Sequence, residues 1–175
     1  GTSRSQVTAL ASSTGDFRRN PAKMNSSIVG GSGADAEYMA AGLVMIKHLV
    51  RHAGAIYPRL ARLGASLRRG IEAAFAEAGI EARCTGDGNE VVPGSSLFFV
   101  HFPKGKAPFR TAEDLHDPKV SDPDLRERIL KLALLNEGVH VMHGGGALST
   151  AHDEKAVRTT IDACAAVART FKAYG

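Results

Sequence analysis

Between Pro58 and Gly79 the apolar residues recur at helical spacing. Leu60, Leu63, Leu67, Ile71, Ala74 and Ala78 share one face, Pro58 stands at a first-turn position and Gly79 stops the run. A helix with one continuous apolar face must bury it, so the chain needs a second layer to set against it. Arg59, Arg62, Arg68 and Arg69 fall largely off the stripe and read as solvent-facing.

The residues after Gly79 supply that layer. Ile80–Cys84 reads as a short strand, Thr85–Asn89 as a turn, and Ser96–Phe102 as an apolar strand buried on at least one face. Pro103–Val120 is polar and too long for a tight connection, so it reads as a surface loop. Ser121 and Asp122 cap a helix with Pro123 in its first turn, Leu125, Ile129, Leu132 and Ala133 inward, and Gly138 as its stop. Val139–Met142 reads as another strand, and Gly144–Gly146 as a loop that admits another backbone or a ligand. The last helix starts at Asp153 and buries Val157, Ile161, Cys164, Ala168 and Phe171. Upstream, Asp35 offers an N-cap to a helix whose stripe is Tyr38, Leu43, Ile46 and Val50, ending near Arg51-His52. Gly1 to about Val29 carries little periodicity. The fold class is therefore α+β.

With 175 residues, 43% of them hydrophobic, the chain has enough apolar material for a real core. Its net charge of +4 is spread along the helices rather than massed in one block, which argues against a nucleic-acid partner. The two cysteines, Cys84 and Cys164, lie far apart without metal-ligand spacing, so a reducing, cytoplasmic setting fits best. No apolar run approaches membrane-spanning length, so no membrane partner is expected.

Chemistry-bearing patterns are sparse. His140 and His143 on a strand would point to opposite faces, so no metal site is expected. Ser95 and Ser96 lack the glycines of a nucleophile elbow, and Glu72, Glu77 and Glu81 read as solvated charges. Gly144-Gly145-Gly146 with Ser149-Thr150 reads more readily as a strand-to-helix turn than as an anion cradle. Gly30-Gly31-Ser32-Gly33-Ala34-Asp35 is different, because it runs straight into Met39-Ala40-Ala41-Gly42-Leu43. A glycine-rich, hydroxyl-bearing turn feeding a helix start can hold an anion on its free backbone N–H groups.

That tract, Gly94-Ser95-Ser96-Leu97-Phe98-Phe99, the stretch from Ser121-Asp122 to Asn136-Glu137-Gly138-Val139, and Leu148–Glu154 occur in an order that resembles the C-terminal third of a class III aminotransferase. The glutamate-1-semialdehyde aminomutase type is the nearest in pattern, and the resemblance covers roughly Phe17 to the C-terminus. It implies a pyridoxal 5'-phosphate (PLP) cofactor and a fold type I transferase. Residues 1–52 would then be the trailing part of the large cofactor domain and 53–175 the small C-terminal domain, a small antiparallel sheet covered by helices. It further implies that Gly30, Gly31 and Ser32 contact the cofactor phosphate, usually across a dimer interface. One alignment gives the hydroxyl role to Ser32, and an ungapped one puts Gly31 in its place. His143, Gly144 and Gly145 would face the substrate mouth, where the family often has a Ser-x-Phe-Glu-like stretch.

The family's lysine, which carries the cofactor, lies shortly upstream of the phosphate turn. Lys23 is the lysine before that turn here and lacks the glycine-rich setting, so no catalytic residue is assigned. The chain accordingly reads as a C-terminal portion acting on a small-molecule amino donor and acceptor, as a homodimer or with a missing N-terminal chain. Two other readings stay open: an inactive remnant or split subunit that binds a partner chain, and an unrelated α+β ligand-binding regulatory module. An exposed apolar stripe on the first helix would favour the first two over the third.

Overall fold

The computed structural model describes residues 33–87 and 94–174, without the side chains of 33–37 and 174. They fall into two compact units that meet at the His52–Ala53 junction. Helix α1 runs from Gly33 to Glu77. Strands β1 (Arg83–Thr85) and β2 (Leu97–His101) follow, then a 3-10 turn at Glu113–Leu115 and a wide π-type turn at Leu125–Leu130. Helix α2 (Lys131–Asn136), strand β3 (Gly145–Ala147) and helix α3 (Glu154–Tyr174) complete the order. The architecture is α+β, as the sequence pattern requires.

Two helices expected on either side of residues 52–58 are one, and Pro58 lies inside it. Proline lacks the N–H that would bond the carbonyl four residues back, which is at Gly54, where a Cβ would meet nothing within 4 Å. At the far end the stop at Gly79 holds. Gly79 adopts φ 81°, its N–H donates to the Ala76 carbonyl, and the Ile80 N–H reaches back to Phe75 at 3.0 Å. This is a Schellman closure, and it consumes Ile80, so β1 begins later than the expected Ile80. Gly138 closes α2 in the same way, through Gly138 to Leu135 and Val139 to Leu134.

The sheet is antiparallel with β2 in the centre. Cys84 faces Val100 across β1 and β2, and Phe98 faces Gly146 across β2 and β3. The expected strand at Val139–Met142 does not form, because β2's second edge is taken by Gly145–Ala147. Met142 instead bridges to Gly145, with hydrogen bonds of 2.9 Å in both directions across His143-Gly144.

Leu67, Ile71 and Phe75 of α1 are almost wholly buried and pack with Val100, Leu130, Leu134, Cys164 and Ala168. Each large side chain of that set contributes roughly 1.5–3 kcal/mol through burial. Phe75 meets Phe102 edge-on, with centroids 5.3 Å apart. Gly70 lets α3 lie close, since a Cβ there would come within 2.7 Å of Ile161 Cγ1.

Two expected faces are revised. Arg68 is buried, not solvent-facing. Its guanidinium donates to the carbonyls of Leu97 (2.6 Å), Gly86 and Ser95 (both 3.2 Å) and pairs with Asp87, pinning the ends of the β1–β2 connection to α1. Glu72 likewise does more than meet solvent, accepting the Cys84 N–H at 2.7 Å. After Asp122, whose carboxylate caps the turn through the Leu125 N–H, the inward residues are Arg126, Leu130 and Leu134. Ile129 and Leu132, expected inward, are exposed, because the π-type turn changes the helical phase before α2.

Candidate functional site

The polar groups that the fold gathers lie beside β2. His101 ends that strand and points inward, 3% exposed. Arg126, equally buried, reaches it from the π-type turn. Its Nη1 donates to His101 Nδ1 at 2.8 Å and to the Leu115 carbonyl at 3.2 Å. Nη2 meets His116 Nδ1 at 3.3 Å, and Nε and Nη2 together hold Glu127 Oε1 at 2.9 and 2.8 Å. Ser121, also buried, donates its hydroxyl to the same Leu115 carbonyl. The 3-10 turn is thus tied to the sheet through a guanidinium with partners on every side.

An arginine only donates, so His101 Nδ1 must be the acceptor and the ring proton must sit on Nε2. That N–H then donates to Thr85 Oγ1 on β1, 2.9 Å away. Burial, and after it the charge of Arg126, push the His101 pKa down to about 4, which keeps the ring neutral. Because the folded value lies below the ordinary 6.5, the neutral ring adds stability above pH 6.5 that is lost as pH falls toward 4. The shift corresponds to about 3 kcal/mol when complete. We expect the melting temperature of the wild type to fall between pH 6.5 and 4 more steeply than that of His101→Gln. Equal slopes would show that the ring is not held neutral by its surroundings.

The expected substrate-mouth residues border this cluster. His143 and Gly144 form a two-residue turn with φ of 52° and 74°, and the Gly144 carbonyl accepts the Val100 N–H at 2.9 Å. A Cβ on Gly144 would press into Arg126, with Cδ at 3.1 Å and Cγ nearer still. His143, exposed, places Nδ1 2.8 Å from Glu127 Oε2. Burial raises the Glu127 pKa, but the bonds from His143 and Arg126 outweigh it and hold the carboxyl below its usual range. Gly145 is not loop but strand: it pairs with Phe99 in β3.

Gly30, Gly31 and Ser32 lie outside the described residues, as does Lys23. The described part of α1 begins at Gly33, the next residue in sequence. The lysines among the described residues are all exposed, so none of them offers the buried amine that a covalently held cofactor needs. Nor do the cysteines offer a nucleophile, since burial drives the thiol of Cys84 up and that of Cys164 up to about 12. Among the described residues no three histidine, cysteine or carboxylate side chains converge as a metal site.

Sequence reasoning missed His101, Arg126, Glu127 and His116 as a unit. The signal was present in part, as a histidine within an apolar strand and an Arg-Glu pair on a helical stripe.

No family model matches the chain, and no curated protein does. Among solved structures, it is similar to an omega-transaminase from Sphaerobacter thermophilus, at 28% identity over 68% of this chain and 24% of that one, with a TM-score of 0.49. A transaminase with PLP bound is similar at 25% identity over 68% of this chain and 24% of its own, with a TM-score of 0.47. A beta-phenylalanine aminotransferase from Variovorax paradoxus shows 27% identity over 61% of this chain and 22% of its own, with a TM-score of 0.48. The chain spans about a quarter of the length of these proteins. Among the described residues no helix is long and apolar enough to cross a membrane.

Proposed function

We propose that this chain is the C-terminal part of a PLP-dependent aminotransferase of the class III, aminomutase-like kind, which grips the cofactor phosphate and supplies the small domain at the substrate mouth. The observation that carries the reading is the order of the motifs along the chain: Gly30-Gly31-Ser32 ahead of Met39-Ala40-Ala41-Gly42, then Gly94–Phe99, then Leu148–Glu154. The cofactor, when bound, supplies an electron sink that lets an amino group and a proton move. This chain's part is the grip: glycine N–H groups and the Ser32 hydroxyl against the phosphate, with His143 and Gly144 bordering the mouth. The lysine belongs to sequence outside the described residues.

A partner surface supports this reading over a free-standing module. Tyr38, Leu43, Ile46 and Val50, the expected apolar stripe, are 52–76% exposed, and Met39 and Met45 are exposed beside them. An apolar face of that size is the kind that a larger protein or a second chain covers. A split subunit would show the same face, so the test must separate the two.

The intact mass of the natural gene product, measured with its visible absorbance in added PLP, does so. A longer product with a borohydride-reducible cofactor band supports the reading. A product of this length without that band sinks it in favour of a partner-binding subunit. In the complete enzyme, Ser32→Ala is expected to weaken cofactor retention by about tenfold or more, since a charge-assisted hydrogen bond contributes on the order of 1.5–3 kcal/mol. Unchanged retention would move the role to Gly31.

A further inference from the structure

Beside the buried Arg126 lies a cavity of about 450 Å³, within the size range of small-molecule sites. One wall is apolar, made by Phe99 and Leu115. The other is the polar cluster, whose hydrogens can be counted. Thr85 Oγ1 already accepts from His101 Nε2, which leaves its own hydrogen to give. His116 receives Arg126 at Nδ1, so its proton is on Nε2 and available. Glu127 is already engaged, at Oε1 by Arg126 and at Oε2 by His143. His143 keeps that position in a left-handed conformation that costs a residue with a side chain roughly 1 kcal/mol. The result is a cavity with donors to offer and a guanidinium in its wall that holds its one carboxylate.

We propose that this cavity binds a small monocarboxylate with an apolar body. The carboxylate oxygens are met by the Thr85 hydroxyl and His116 Nε2–H, and the body lies on Phe99 and Leu115. A cation would find the charge of Glu127 already paired with Arg126, whose own charge repels it. An uncharged apolar molecule would leave the two donors without acceptors, which disfavours it.

The test uses the full chain with benzoate and benzylamine, ligands of the same shape and opposite charge, followed by calorimetry and by side-chain nuclear magnetic resonance of Thr85 and His116. Benzoate is expected to bind in the millimolar range, with the Thr85 and His116 signals shifting at one common midpoint, and benzylamine at least tenfold more weakly. His116→Phe, at an exposed position where the fold should persist, is expected to lose about tenfold in benzoate affinity, while Thr85→Ser retains it. Equal or stronger benzylamine binding overturns the proposal. So does failure of benzoate to bind, benzoate shifts confined to other residues, or unchanged benzoate affinity in a folded His116→Phe.

Discussion

Arg126→Leu will lower the stability of the 53–175 unit by about 3–5 kcal/mol, although leucine brings no charge to bury. The loss follows from what the guanidinium leaves behind. His101 Nδ1 loses a donor at 2.8 Å in a site 3% exposed, Glu127 Oε1 loses both its bonds to Arg126, and the Leu115 carbonyl keeps only the Ser121 hydroxyl. A buried acceptor without a partner costs the full desolvation of the group, typically 1–3 kcal/mol each. Urea unfolding of the variant measures the sum, and a double-mutant cycle with His101→Phe tests the cause. If the Arg126–His101 bond matters, the pair of substitutions costs less than the two single losses added, because the orphaned nitrogen is gone. Additivity within about 0.5 kcal/mol would mean that the two side chains are neighbours without being partners.

How legible this region was depends on how local its causes are. The stop at Gly79, the caps at Asp122 and Asp153, and the strand around Leu97–His101 each depend on a few adjacent residues. A left-handed glycine closes a helix, a carboxylate takes a free N–H three residues on, and an apolar β-prone run pairs on both edges. All of these stand where the pattern put them. Arg68 was misread, and Arg126 passed over, because an arginine in a helical segment is usually solvated. What buries these two is the set of carbonyls and rings that other parts of the chain bring to them. The exposed Ile129 and Leu132 were misread for a related reason: a helical wheel assumes a constant turn, and the π-type turn at Leu125–Leu130 breaks that phase. Of the candidate site, the His143-Gly144 turn could be read from sequence only as a flexible glycine run. Its partner Glu127 lies sixteen residues away and arrives through the fold.

The glycine run also held the position of β3, and this makes the strongest single test of the sheet. Gly145→Ala is expected to cost about 3 kcal/mol or more, and Gly146→Ala less than about 1 kcal/mol, though the two are adjacent on one strand. At Gly145 an added Cβ would overlap the Phe98 carbonyl oxygen, lie 2.5 Å from Phe99 Cδ1 and 2.8 Å from Phe99 Cα. Those neighbours include the backbone of the central strand, so the Phe99–Gly145 pair must open. At Gly146 the nearest atom is 3.3 Å away at the edge of the Phe98 ring, which can shift by a few tenths of an ångström. Propensity alone predicts no difference between them: alanine replaces glycine in a strand at little cost or with a gain, through the unfolded state. Only close approach of β2 and β3 separates the two positions. Denaturant midpoints for the two variants therefore decide whether Gly145–Ala147 is the strand that took the place expected for Val139–Met142. Equal midpoints would return Gly145 to a loop, and would also release the neighbouring His143-Gly144 turn from its fixed position over Arg126 and Glu127.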